Sequence, residues 1–447
     1  MTFAKAYPRK HFFVEMFTRD ISLADCILDL IDNSIDGLMK SRKLNVLEYI
    51  FDDAKKLPKK DLPVIKITFT ENFFKIEDNC GGIPYKLAAE DIFNFGYPHD
   101  HSPAKAPQLG VYGIGLKRAI FKMGTSFEMK SSSSQDGFTV KLDNLAEWLK
   151  KDDQLSDWQF PIVKTGKAAN KSVSGTVLTI KNLRAEVKAM VESDRFFSAI
   201  EKEIGKVYAL FINKLVKIEF NGKLINPLDI PIGSSSEVTP GKDEFKMGEV
   251  DVKIIATMAP RSTWKMEQAG WYVACNGRLV LLADKTDVTG WGKGILPNFH
   301  DKYRGFVGLV FFQSEDALSL PWKTTKRGLN EENQTYQKTI GVMSRVARPV
   351  VSFFDKMYKP EVEEERNERE VADAVTATNV RVVAAQQAAS FAVVEKRQRQ
   401  KTTLKIQYDA EKIAINRIKT YLRKPQMSAS QVGKHTFEFF IKKEGLR

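Results

Sequence analysis

The 447-residue sequence contains only three cysteines, Cys26, Cys80 and Cys275, and they lie far apart. Their odd number and wide spacing exclude a disulfide framework or a zinc-finger pattern, and they favour a reducing, intracellular environment. No run of about 18 apolar residues occurs, so we expect no membrane-spanning segment and no membrane partner. The first residues lack an apolar run followed by a small-residue cleavage site, so we predict a cytoplasmic protein.

Two common nucleotide-binding fingerprints are also missing from the sequence. There is no G-x-x-x-x-G-K-[ST] loop, which excludes a P-loop protein. There is no G-x-G-x-x-G after a predicted strand either, so the dinucleotide-binding pattern is excluded.

The composition that remains is that of a globular protein with a basic end. Hydrophobic residues make up 43% of the chain and aromatic residues 11%, which is enough for a buried core, and the length favours two or three domains. The net charge is +13, and residues 381–447 carry 15 Lys and Arg against 5 Asp and Glu. Such a segment favours a polyanion such as nucleic acid, although a solvated helix face explains it equally well.

Periodicity predicts an α+β fold with three parts. The first part, residues 1–186, contains a helix over residues 20–40, which Ser22 and Asp25 begin as a capping box. It also contains strands over residues 62–79 (a hairpin), 126–132, 137–143 and 175–183. The second part, residues 187–358, contains helices over residues 193–212 and 336–358, a buried strand over residues 305–312 and Asn-Gly hairpin turns at residues 221–222 and 276–277. The third part, residues 359–447, has the composition of a long helix or coiled coil.

The first predicted helix concentrates acidic side chains on one side. In ADCILDLIDNSIDG, residues 24–37, polar groups recur at spacings of four, four and three: Asp25, Asp29, Asn33 and Asp36. A Mg²⁺ ion on phosphate groups explains this arrangement, because Mg²⁺ takes one or two protein oxygens and completes its shell with water and phosphate. A carboxylate one turn earlier is suited to order an attacking water. A solvent-facing acidic stripe is the simpler alternative.

Two further motifs follow the helix. KIEDNCGGIP, residues 75–84, is a strand that ends at Asp78, where a carboxylate can accept a hydrogen bond from an exocyclic amine such as that of adenine. Glycines after it let the backbone approach a flat ring. GVYGIGLKRA, residues 110–119, is a G-x-x-G-x-G loop that runs into a helix, whose amides can hold phosphate oxygens. Taken singly, either motif could be an ordinary turn.

Together and in this order, the three motifs resemble the GHKL ATPase superfamily of gyrase B-type topoisomerases, heat-shock chaperones, histidine kinases, MutL and MORC proteins. GTVLTIKNL, residues 175–183, resembles the family's fourth element, in which a threonine approaches the adenine pocket. The resemblance covers roughly residues 10–330 and is greatest to the MORC-like and gyrase/MutL-like branch, given NGRLV and LPWKTTKRGLN in the second part. It implies a Bergerat helix-on-sheet ATP domain, an α/β transducer-like domain and a helical C-terminal arm.

The resemblance implies a role for each motif residue. Asp29 would be the general base, Asn33 would bind Mg²⁺, Asp78 would read adenine, and Lys326 would reach the γ-phosphate unless it is an ordinary surface lysine. The remaining nucleotide contacts would be Gly82, Ile83, Gly110, Val111, Tyr112, Gly113, Ile114, Gly115, Lys117 and Thr176.

The sequence departs from the family pattern at two positions. The family usually has Glu where Asp29 stands, and Asp is shorter by about 1.5 Å. Either the helix lies closer to the nucleotide or turnover is slow, and slow turnover would suit a switch. Cys80 stands where the family pattern has a glycine, and its side chain would pack near the adenine base. Asp32 and Asp36 are expected to hold neighbouring loops rather than to do chemistry.

The expected activity is a slow ATPase with ATP and Mg²⁺ as cofactors. ATP would close a lid over residues 97–115 and pair two subunits as a homodimer through a strap over residues 7–20. The output would be a clamp or remodeller on double-stranded DNA, gripped by the basic arm. A chaperone-like or scaffold module with a protein partner, and a nucleotide sensor that does not turn over, are alternatives. Stand-alone bacterial proteins of this kind often serve anti-phage (antiviral) defence, although no residue here points to that role.

Overall fold

A computed structural model describes residues 9–43, 58–96, 107–111, 113–151, 157–170, 173–292, 294, 296–358, 367–394, 406 and 408–446. The described residues up to 394 form one compact unit, and those from 406 onward form a second.

The larger sheet of the first unit has eight strands. They are β1 Val64–Phe69, β2 Phe73–Asp78, β3 Gly124–Ser132, β4 Gly137–Leu142, β5 Ile162–Thr165, β6 Gly175–Leu183, β7 Lys217–Phe220 and β8 Lys223–Leu224. Their spatial order is β5–β4–β3–β6–β2–β1–β7–β8. Neighbours are antiparallel except for β1 and β7, which run parallel. The predicted hairpin β1–β2 and the predicted strands β3, β4 and β6 are therefore confirmed.

The helices of this region precede the first strand of the sheet or lie between its strands in the sequence. They are α1 Lys10–Arg19, α2 Leu23–Arg42, α3 Gly115–Met123, α4 Leu145–Lys150, α5 Ala185–Val191 and α6 Asp194–Val207, with short helical turns at Lys59–Asp61, Tyr85–Leu87 and Ala88–Ile92. The helix α2 begins where Ser22 Oγ accepts a hydrogen bond from the Asp25 amide, at 3.1 Å. Its apolar side, including Ile27 and Ile31, is fully buried in the same core as the strand residue Ile65. This packing fixes which side of α2 remains polar and accessible.

A second sheet forms among the next strands of the chain. The strands of this region are β9 Gly233–Ser234, β10 Val238–Thr239, β11 Gly241–Met247, β12 Val250–Met258, β13 Gly270–Cys275, β14 Arg278–Asp284 and β15 Phe306–Gln313, with single 3₁₀ turns at Arg261–Thr263, Asp287–Thr289, Asp301–Tyr303 and Ala317–Ser319. Five of them form the second sheet in the order β11–β12–β15–β13–β14. Asn276 and Gly277 have positive φ angles of 47° and 86° and join β13 to β14, as the Asn-Gly signal predicts. Asn221 and Gly222 do the same between β7 and β8.

The segment after this sheet corrects the expectation of one long C-terminal helix. A helix, α7 Gln334–Tyr358, packs on β12, and the chain then forms α8 Asn367–Asp373, β16 Thr376–Ala377, α9 Val380–Ala384 and β17 Ala392–Val393. Here β16 pairs with β9, and β17 pairs with β10. The prediction is wrong for residues 367–394 because apolar side chains such as Val371, Val383 and Phe391 are buried in the first unit. Composition does not reveal such packing.

The described residues of the second unit form two helices, α10 Lys412–Tyr421 and α11 Ala429–Lys443. A capping box of Ser428 and Gln431 begins α11. Among residues 408–446, Val432 is the one buried side chain.

The α+β class predicted from the sequence is confirmed by the large sheet with its helices. The domain boundaries at residues 186 and 358 stay predictions, and the eight-stranded sheet itself extends beyond residue 186 to β8. Among the described residues, no helix has the length and apolar character needed to cross a membrane.

Candidate functional site

The polar side of α2 presents two of the predicted residues to the same region. Asn33 is exposed, whereas the Asp29 side chain, one turn earlier, is only 15% exposed. Because the opposite side of α2 is buried in the core, both side chains emerge on the side that the sequence pattern indicated.

Asp78 lies against α2 at the end of β2. Its carboxylate accepts hydrogen bonds from Ser34 Oγ at 2.7 Å and from the Cys80 amide at 2.9 Å. Burial raises the pKa of Asp78, and these hydrogen bonds oppose that rise. Ser34 is the neighbour of Asn33 in the helix, so the structure brings Asp78 to the helix that carries the acidic motif.

Thr176 lies beside Asp78, because β6 pairs with β2 and these two residues are opposite each other. The Thr176 hydroxyl is 2.8 Å from Ser131 Oγ, and Ser131 Oγ accepts a hydrogen bond from the Ile83 amide at 2.8 Å. The end of β2, the segment after it and the start of β6 (the fourth motif) are therefore joined by hydrogen bonds.

Glycine is required at two points of the site for steric reasons. Gly82 has φ +65°, and a Cβ atom there would lie 2.1 Å from the Ser132 carbonyl oxygen. A Cβ atom on Gly115, the first residue of α3, would lie 2.9 Å from Asp29 Cβ and 3.1 Å from Asp29 Oδ2. The absence of a side chain at Gly115 lets the start of α3 touch Asp29 directly.

Asp36 holds the beginning of the glycine motif. Its two carboxylate oxygens each accept one backbone hydrogen bond of 2.7 Å, from the amides of Leu109 and Gly110. Burial raises the pKa of Asp36 to about 6, even though these two bonds favour the ionised form. The expectation that Asp36 anchors a neighbouring loop is confirmed.

Lys326 reaches α2 from the second half of the unit, 297 residues after Asp29. Its Nζ lies 3.3 Å from Asp29 Oδ1 and 2.7 Å from Asp32 Oδ2. The side chain is only 6% exposed, so Lys326 is not an ordinary surface lysine. Burial alone would lower the pKa of Lys326, but the charges of Asp32 and Asp29 outweigh burial and raise it.

Asp32 is fully buried and has two further partners that sequence reasoning did not identify. Tyr208 Oη donates a hydrogen bond to it at 2.7 Å, and Arg278 forms an ion pair with it. Burial would raise the pKa of Asp32, but Arg278 and Lys326 hold it below the ordinary value. Asp32 therefore holds the Lys326 loop, as expected, and it also holds the start of β14 through Arg278.

Lys117 is buried in α3 and points away from open solvent. Its Nζ donates a hydrogen bond to the Ile92 carbonyl at 2.9 Å and lies 5.8 Å from the centre of the Phe95 ring. Burial lowers the pKa of Lys117 to about 8. Its predicted contact with phosphate stays a prediction.

The other predicted contacts surround the start of α3. Val111 is buried, and Gly110, Gly113 and Ile114 are half-buried. Tyr112, residues 97–106 of the predicted lid and residues 7–8 of the predicted strap lie outside the described residues.

The residues present are compatible with Mg²⁺ bound together with a phosphate ligand. Asn33 offers an exposed carboxamide oxygen next to the Asp29 turn, and oxygen donors of this kind suit Mg²⁺. Within the described ranges, no group of three or more His, Cys, Asp or Glu side chains could hold a metal ion.

Comparison with known proteins agrees with this geometry. Residues 21–176 match the family model described as histidine kinase-, DNA gyrase B-, and HSP90-like ATPase. No curated protein matches the chain. The matched range contains Asp29, Asn33, Asp78 and the glycine motif, whereas Arg278 and Lys326 lie after it. This match supports the GHKL superfamily for residues 21–176, and a domain of that type indicates ATP binding.

Proposed function

We propose that this protein is a slow Mg²⁺-dependent ATPase of the MORC-like branch. The observation that carries the proposal is the meeting of three chain segments at one carboxylate: Asp29 touches Gly115 at the start of α3 and pairs with Lys326. A helix N-terminus and a lysine ammonium are both suited to bind phosphate, so the terminal phosphates of ATP belong beside Asp29.

Asp29 acts as the general base that orders the attacking water. Its carboxylate is mostly shielded from solvent, which strengthens its interaction with a bound water and with Lys326. Lys326 leaves the Asp29 carboxylate for the γ-phosphate when ATP binds. Since Asp is shorter than Glu by about 1.5 Å, the water is held less closely and turnover is slow.

Asn33 would hold Mg²⁺ through its carboxamide oxygen, and the ion would supply positive charge to the phosphates. Asp78 receives the exocyclic amine of adenine, with Thr176 and Ile83 beside the base. Asp78 keeps Ser34 and the Cys80 amide as its own partners, which fix the orientation of the carboxylate.

The change Asp29→Asn tests the catalytic assignment. The variant should bind ATP with parental affinity, while phosphate release falls by about 100-fold or more, because the amide cannot accept a proton. Asp25→Asn is a matched control on the same helix: Asp25 pairs with Arg327 and Ser22, so its loss should leave turnover unchanged. Hydrolysis by Asp29→Asn at the parental rate would show that another group is the base.

ATP binding closes the lid and pairs two chains through their N-terminal segments. Within the chain, α1 is held by Lys10, whose Nζ donates hydrogen bonds to the carbonyls of Trp148 at 3.0 Å and Asp157 at 2.6 Å. Light scattering with and without a non-hydrolysable ATP analogue tests the pairing. A mass that doubles with the analogue supports it, and an unchanged mass contradicts it.

The output proposed first is a clamp on double-stranded DNA. In the second unit, Arg417, Arg423 and Lys424 are exposed, and the segment from residue 381 onward carries most of the net charge. If about four phosphates are neutralised, affinity should fall roughly 100-fold between about 50 and about 200 mM salt. Replacing these three residues with Glu should remove most of the binding, and unchanged DNA retention at the same salt would refute the idea.

A protein partner is the second candidate for the output. Large side chains of the second unit are exposed, among them Tyr421 at 86% and Phe439 at 63%. Aromatic side chains of this kind are enriched at protein interfaces. Co-purification of one protein without nucleic acid, lost on Phe439→Ser, would favour this scaffold or chaperone-like role.

A further inference from the structure

Four buried side chains form an ion-pair cluster directly beside Asp29. Asp32 accepts hydrogen bonds from Lys326 Nζ and Tyr208 Oη, each at 2.7 Å, and pairs with Arg278. Asp32 is 0% exposed, Arg278 1% and Lys326 6%. Two cations therefore share one buried carboxylate, although the proposed hydrolysis uses only one of them.

We propose that Arg278 is a positioning residue for ATP hydrolysis, which compensates Asp32 so that Lys326 can leave this carboxylate for the γ-phosphate. The inference rests on the proposed function and extends it to a residue outside the nucleotide motifs.

The charge balance of the cluster supports this role. With Lys326 in place, two carboxylates, Asp29 and Asp32, face two cations. When Lys326 moves, Asp32 keeps Arg278 and the Tyr208 hydroxyl, so this fully buried carboxylate remains compensated. Without Arg278, the departure of Lys326 would leave Asp32 as an uncompensated buried charge, which is strongly unfavourable. Lys326 would then stay on Asp32.

The backbone positions of the two cations fit their different tasks. Arg278 is the first residue of β14 and directly follows the Asn276–Gly277 turn, so the sheet holds its backbone in place. Lys326 lies in the loop between β15 and α7, with a left-handed φ of 55°. A guanidinium also suits the permanent role, because it stays charged when buried. Burial opposes its charge, yet nearby Asp32 raises the pKa of Arg278 further.

The change Arg278→Met in the full-length chain tests the proposal by steady-state phosphate release. We expect kcat to fall by about tenfold or more with KM within about threefold, because Lys326 is retained by Asp32. Arg345→Met is the matched control: Arg345 forms an ion pair with Asp243 and is 69% exposed, so its loss should leave both constants unchanged.

A charge-rescue variant separates positioning from a purely structural role. In Asp32→Asn/Arg278→Met, Lys326 no longer faces an unpaired carboxylate on Asp32, so kcat should return to within about threefold of the parental value. A purely structural ion pair between α2 and β14 would give no such recovery.

The outcomes separate this inference from the proposed function. If Arg278→Met keeps the parental kcat, the role of Arg278 is overturned and the proposed function stands. The same follows if the double variant folds and binds ATP but does not recover kcat. If the single variant does not fold, the kcat of the double variant decides. If the parental chain itself releases no phosphate from ATP, the proposed function fails and this inference fails with it.

Discussion

The contact between Gly115 and Asp29 leads to the most specific prediction, for the change Gly115→Ala. The added Cβ atom would lie 2.9 Å from Asp29 Cβ and 3.1 Å from Asp29 Cγ and Oδ2. Nonbonded carbon atoms prefer a separation of about 3.5–4.0 Å, so Asp29 must move away by about 0.5–1 Å. This single methyl group therefore shifts the proposed base without removing it.

The expected magnitude follows from this displacement. A shift of about 1 Å in a catalytic group lowers a rate by about 100-fold, so we expect kcat to fall between about 10-fold and about 100-fold. Stability should change by less than about 1 kcal/mol, because the helical preference of alanine offsets part of the crowding. Turnover is measured by phosphate release and stability by urea denaturation.

Gly341→Ala is the control for this experiment. Gly341 lies within α7, and a Cβ atom there would meet nothing within 4 Å. This control should gain about 1 kcal/mol in stability and keep parental turnover. If Gly115→Ala also keeps parental turnover while remaining folded, Asp29 is not the group that limits hydrolysis, and the reasoning is refuted.

Two further predictions concern the polar contacts of α2. Because the folded-state pKa of Asp36 is raised to about 6, the folded protein binds this proton more tightly than the unfolded chain, so the contribution of Asp36 to stability falls as the pH rises from about 4 to about 6. An opening that exposes Asp36 follows the same linkage, so hydrogen exchange at the amides of Leu109 and Gly110, corrected for the intrinsic rate, should slow as the pH falls from about 6 to about 4; unchanged protection would contradict this. Tyr208→Phe should lower the free energy of unfolding by about 1.5–3 kcal/mol, since Asp32 loses a buried donor, and a denaturation midpoint equal to that of the parent would contradict it.

Local features of the fold could be predicted from the sequence because their causes are local. The spacing of apolar residues and the Ser22 cap predict α2, and the structure has it at Leu23–Arg42. Asn-Gly pairs predict tight hairpins at residues 221–222 and 276–277, because both residues of such a turn need positive φ.

Long-range placements could not be predicted in the same way. The strand β7 was predicted as part of the second domain, but it pairs in parallel with β1 of the first sheet. Pairing between segments about 150 residues apart leaves no periodic signal in either of them. The tail differs from the prediction for a related reason, since residues 367–394 form short elements fixed by packing rather than by their own helical preference.

Some residues of the candidate site could be predicted from local motifs, and others could not. Motif order was enough to select Asp29, Asn33 and Asp78, and the structure brings Asp29 and Asp78 to one helix with the glycine motif. The sequence pattern does not distinguish Arg278 and Tyr208, because an arginine in a strand and a tyrosine after a helix are common. Only their burial around Asp32 distinguishes them.

Isothermal titration calorimetry of Mg²⁺–ATP into the full-length chain tests the central claim most directly. We expect a binding heat that saturates at one nucleotide per chain and that is lost in Asp78→Asn. If ATP in excess over the folded parental chain produces no binding heat, the account is contradicted.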